Sequence, residues 1–128
     1  MKTYVKITDG DKDKAIDELE GIGYGMPEVC IMDTKLMDRI SGEFPDWVSG
    51  GPGMTDWAVG YFGRLQSIDP TPERCAKIIS TSETDLEGYD FMFEWFEEPE
   101  EDQVKKLEED IEEILEDLGV EYEIETRK

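Results

Sequence analysis

Histidine is absent from this 128-residue chain. That one absence removes Ser-His-Asp and Cys-His catalysis, His-ligated zinc and imidazole acid–base chemistry together. Cysteine is scarce. Cys30 and Cys75 are the two present, which allows at most one bridge and is far too few for a disulfide scaffold. Long apolar runs are missing as well. No stretch approaches the ~20 residues needed to cross a bilayer, and the opening MKTYVKITDGDKDK has no apolar signal core. The expected compartment is a reduced cytoplasm, with no membrane partner.

Positive charge is the remaining scarcity. There are 34 acidic and 13 basic residues, for a net charge of -21. The imbalance is not uniform: residues 1–81 carry a net of -5 and residues 82–128 a net of -16. Such a chain repels phosphate backbones and anionic lipids through its long-range field. Direct nucleic-acid binding is therefore not expected, and cations or basic proteins and peptides are the favoured partners. The many Glu residues with nine lysines suit a surface of ion pairs of the thermophilic archaeal or bacterial kind. With 38% hydrophobic residues, including three Trp, five Tyr and five Phe, the chain is too apolar for a disordered acidic tail. Its length fits a single domain over 1–128.

Hydrophobic periodicity organises the chain. KTYVKIT (2–8) alternates as a strand; residues 12–21 place Ala15, Ile16 and Leu19 at helical spacing, with Gly21 and Gly23 as stops; EVCIM (28–32) reads as a second strand. Asp33 can cap a short helix bearing Leu36, Met37 and Ile40. Residues 41–55, rich in Gly, Pro and Ser, form an irregular insertion. Beyond it, Trp57, Ala58, Tyr61, Phe62 and Leu65 mark one helix face, with Thr55 or Asp56 as N-cap and Gly60 and Gly63 allowing close approach. Residues 72–81 are open to two readings. Thr71-Pro72-Glu73 is a helix start, whereas AKIIST, a polar turn and YDFMFEWFE make a β-hairpin, which is favoured because so aromatic a strand needs a partner. In that strand Tyr89, Phe91, Phe93 and Trp95 face one way. Met92 and Phe96 face the other way, exposed unless a second layer covers them.

Pro99 opens an acidic helix with a stripe of Val104, Leu107, Ile111, Ile114 and Leu118, stopped by Gly119 and followed by a last strand with Val120, Tyr122 and Ile124 inward. The expected fold is α+β: a mainly antiparallel sheet with helices on one face, in ferredoxin-like β-α-β…β-β-α-β order around a helical and loop insertion.

Three sites are candidates. Asp9, Asp11 and Asp13, continuing through Asp17 to Glu20, follow the oxygen spacing of a calcium loop and would hold Ca²⁺ or Mg²⁺. Lys14 stands where that loop needs Gly, however, and a strand precedes it, so a strand-turn-helix junction capped by Asp accounts for the same residues. Gly50, Gly51 and Gly53 with Thr55, flanked by Trp47 and Trp57, suit a ligand pocket before a helix N-terminus; a plain connection between helices is the bland counterpart. Glu101, Glu108, Glu109, Glu112, Glu113 and Glu116 make an acidic helix face, either solvated or facing a partner. Its carboxylates repeat at about 5–6 Å, comparable with DNA phosphates, so nucleic-acid mimicry is one sharp form of that role. The apolar stripe also suits a/d pairing in a homodimer. Each cysteine sits in an apolar run, and only Arg74 beside Cys75 hints at reactivity.

The leading expectation is a small acidic interaction or regulatory protein that is not an enzyme. The alternatives are a cation-binding protein and a carboxylate-based enzyme with a pocket near Gly50–Gly53.

Overall fold

The computed structural model describes residues 1–43, 52–65, 68–80 and 86–127. Trp47, Gly50 and Gly51 lie outside them. The strands are β1 (Lys2–Asp9), β2 (Val29–Asp33), β3 (Phe91–Trp95) and β4 (Glu121–Arg127), and the helices are α1 (Lys12–Tyr24), α2 (Thr34–Glu43), α3 (Pro52–Gly63), α4 (Pro72–Ile78) and α5 (Glu101–Leu118). The fold is α+β. Its four-stranded sheet runs β2-β3-β1-β4, antiparallel throughout. β3 therefore lies between the strands that α1 connects, and β1 between the strands that α5 connects. These are two interlocked split β-α-β units.

Alternation sets the faces. Thr3 opposes Phe93 and Val5 opposes Phe91, and all four are fully buried. α1 packs on this face so closely that a Cβ at Gly23 would meet Ile31 Cγ2 at 2.4 Å and Phe93 Cε2 at 3.3 Å. Gly21 and Gly23 thus do not stop the helix, which runs to Tyr24 and caps at Gly25; Gly23 is the contact point with the sheet. Gly23→Ala should cost about 1–3 kcal/mol through overpacking, read as a lowered midpoint with unchanged slope in chemical denaturation. Gly60, by contrast, faces open space and brings no neighbour close.

The favoured hairpin does not form. Residues 72–78 are helical, Thr71 caps them by accepting from Arg74 N–H, and Pro72 occupies the first turn. What remains of the strand reading is one parallel bridge, Ile31 to Ile79. Tyr89 also leaves the aromatic face. It precedes β3 and packs its ring 5.1 Å from Tyr4, whose register position opposes Met92. Met92 is fully buried, whereas Phe96 is 49% exposed.

Two helix ends moved. α3 begins at Pro52 rather than at Thr55 or Asp56, so the irregular stretch is shorter than 41–55. α5 begins after Glu100, whose carboxylate and the Gln103 side chain form a capping box. The stripe of α5 buries Leu107, Ile111 and Leu115 fully, with Val104, Ile114 and Leu118 at its margins. That stripe lies against α1 and β4.

Candidate functional site

Asp9, Asp11 and Asp13 do not converge. Asp9 ends β1 opposite Glu121. Asp11 caps α1, its carboxylate accepting from Lys14 N–H at 3.1 Å. Asp13 pairs with Lys35 at 2.8 Å, a hydrogen bond that holds its carboxyl below the usual range. Glu20, which would close the calcium loop, is fully buried elsewhere. Among the described residues no three His, Cys, Asp or Glu side chains gather as metal ligands.

Thr55, Trp57 and the backbone of Gly53 sit on α3, and this helix leads to a buried carboxylate cluster. Trp57 stacks on Tyr61 with ring centroids 5.0 Å apart. Tyr61 donates its hydroxyl to Glu20 Oε2 at 2.7 Å, and Arg64 donates to Glu20 Oε1 at 2.7 Å and to Asp17 Oδ1 at 3.0 Å. Lys35 donates to the same Asp17 oxygen at 2.7 Å. The guanidinium also lies over the Tyr61 ring, 4.2 Å from its centroid.

The second carboxylate is Asp33 at the end of β2, fully buried like Glu20. Its Oδ1 accepts from Leu36 N–H at 2.7 Å, the cap that the sequence suggests. Its Oδ2 has no hydrogen-bond partner among the described residues. The neighbouring Glu20 carboxylate cannot donate while ionised. A proton on Oδ2 resolves the conflict by making Asp33 the donor to Glu20. Burial first, and then the charge of Glu20, accordingly push the Asp33 carboxyl well above its ordinary value. Burial, with Asp33 and Glu20 nearby, likewise raises the Tyr61 phenol. The two carboxylates of the cluster are closed to water. The cluster joins α1, β2, α2 and α3.

The cysteines are free and inert. Burial and Glu94 push the Cys30 thiol up to about 11, and burial raises Cys75. Burial outweighs the charge of Arg74 at Cys75. The Arg74 guanidinium is spent on the carbonyls of Gly23, Tyr24, Met26 and Val29, at 2.6 to 3.0 Å, fastening α4 to the end of α1.

On the acidic helix, Glu101, Glu109, Glu112, Glu113 and Glu116 are exposed. Glu108 is half-buried and accepts from the Thr126 hydroxyl at 3.3 Å. Lys106 turns to Asp110 at 2.7 Å, one turn onward rather than back to Asp102.

A groove missed in the sequence lies where β3 ends and α5 begins. Two adjoining cavities of about 260 and 370 Å³ share Pro27, Glu28, Trp95 and Gln103 as walls. The first adds Phe96, Glu97 and Glu98; the second adds Asp102, Lys106 and Asp110. Trp95 is 5% exposed, and its indole Nε1–H has no acceptor among the described residues. The signal available in the sequence was the run Trp95-Phe96-Glu97-Glu98-Pro99: an aromatic pair followed at once by acid and a helix start.

Comparison of the chain with protein-family models, with curated proteins and with solved structures returns no match. The geometry alone therefore carries the functional reading.

Proposed function

We propose that this chain is a non-enzymatic interaction protein whose acidic surface engages a basic protein or peptide. The observation that carries the reading is the C-terminal half of α5. Glu112, Glu113, Glu116 and Asp117 are all exposed there, and the last turn holds no basic residue. The C-terminus of a helix is its negative end, where each acid is unfavourable by about 0.3–1 kcal/mol. Three acids of α1 behave differently: Asp13, Asp17 and Glu20 are each paired with Lys35 or Arg64. No hydrogen bond or ion pair is made by Glu112 or Asp117 among the described residues, and Glu113 meets only the field of Lys106, which is itself paired with Asp110. Negative charge placed against the dipole and left uncompensated within the fold supports an external cationic partner.

The test replaces Glu113 and Asp117 together by Lys and uses hexalysine as the probe. Relief of the dipole conflict raises the melting temperature, while affinity for hexalysine falls at least about fivefold, roughly 1 kcal/mol. Undiminished affinity in a folded variant would sink the proposal.

A further inference from the structure

We infer that the groove between Pro27, Trp95 and Phe96 is the anchoring site for a basic segment that also carries an apolar side chain. This inference rests on the acidic-surface reading and gives it a place. Three independent features meet there.

The first is apolar exposure. Phe96 is the exposed large hydrophobic among the described residues, at 49%, and it stands beside Pro27, Trp95 and Pro99 in the groove wall. Scattered single apolar residues on a surface need no explanation; one that forms the wall of a cavity continuous with a second does.

The second is an unused donor. Trp95 is more than nine-tenths buried and lines both cavities, yet its indole N–H lacks an acceptor among the described residues. A buried N–H left unmade costs about 1–3 kcal/mol. The N–H is closed to solvent, so a backbone carbonyl seated in the groove meets it only when the Trp95 ring turns toward the opening.

The third is the charge of the rim. Glu28, Glu97, Glu98, Asp102 and Asp110 surround the opening, and the single base, Lys106, is already paired with Asp110. Asp102 is accounted for by the α5 dipole, since it lies in the first turn. Glu28, Glu97 and Glu98 lie outside any helix and have no such role. Acid rim, apolar wall and free donor together match a Lys- or Arg-flanked segment that inserts one aliphatic side chain. They do not match an anion or a purely apolar ligand.

The experiment compares two peptides of equal charge, Lys-Lys-Lys-Leu-Leu-Lys-Lys-Lys and its Gly-Gly counterpart, by calorimetry and by ¹H–¹⁵N NMR on the full chain. The leucine peptide is expected to bind about tenfold more tightly, consistent with partial burial of one Leu side chain. The Trp95 indole N–H resonance should move with it, and Phe96→Asp should erase the difference between the two peptides. Phe96→Ser is the second variant, so that loss of fold in one does not decide the question. Equal affinity for the two peptides, or shifts confined to Glu112–Asp117, would overturn the groove while sparing the acidic-surface reading. No binding of either peptide overturns both. Tighter self-association that Phe96→Asp abolishes, without a peptide response, overturns it in favour of a second copy of the chain as occupant.

Discussion

Asp33→Asn is expected to stabilise this protein, and the gain should grow with pH. In the unfolded chain Asp33 ionises in the ordinary carboxylate range. In the fold, burial and Glu20 hold its carboxyl well above that range. Below both values the side chain is protonated in either state and imposes no cost. As pH rises past the unfolded value, folding must retain a proton that the unfolded chain releases. The penalty then grows by about 1.4 kcal/mol per pH unit until the folded value is reached, where it levels off. Asparagine never ionises. Its carbonyl can accept from Leu36 N–H as Asp33 Oδ1 does, and its amide can donate to Glu20 where the protonated acid would. Chemical denaturation from about pH 4 to 8 should therefore show the two proteins equal at the acid end and the variant ahead by a widening margin above it. A variant that is less stable at every pH would show that Asp33 is ionised in the fold and contributes as a charge.

Arg64→Met should be the most damaging substitution at this cluster. Glu20 is fully buried, and its charge is met by Arg64 at 2.7 Å and the Tyr61 hydroxyl at 2.7 Å. Methionine keeps the apolar stem but leaves the carboxylate with the phenol and Asp33 and no positive charge. Stranding one partner of a buried pair costs about 3–5 kcal/mol. Adding Glu20→Gln should recover a large part of it, since the two side chains act as a unit and their effects are not additive. No recovery in the double variant would place the role of Arg64 in its packing over Tyr61 rather than in charge.

How much of this was legible in the sequence depends on whether the deciding contact is local. β1, the Asp33 cap, the buried face of α3, the acidic helix and β4 all follow from short-range periodicity and capping, and they form close to where those signals lie. Residues 72–78 do not. Thr71-Pro72 marks a helix start, but the hairpin is favoured because so aromatic a strand needs a partner. What fastens the helix is Arg74 reaching carbonyls some 50 residues away, and such a contact leaves no periodic trace. The periodicity carries the stripe of α5 through Ile114 to Leu118, whereas the fold continues its buried line through Leu115 and leaves Ile114 and Leu118 half-buried. Successive steps of four residues from Leu107 follow the 3.6-residue turn without the heptad correction that a coiled coil would impose.

The buried carboxylates were hidden by number. Among 34 acids, Glu20 looks like surface. Yet it shares the α1 face with Ile16, Leu19 and Gly23, all turned inward, and Asp33 directly follows the buried run Val29–Met32. Position on an apolar face, rather than residue type, was the available clue. Trp95 was rightly assigned to the core; that it also lines the wall of a groove depends on Pro27 and Gln103 arriving from other elements.

The central claim is that exposed acid on this fold binds a basic partner electrostatically. Its most direct measurement is the affinity for hexalysine across a salt series. Between about 0.05 M and 1 M NaCl the screening length falls to about 3 Å, and the claim predicts that affinity drops by well over about tenfold. Affinity that is constant across the series would contradict it.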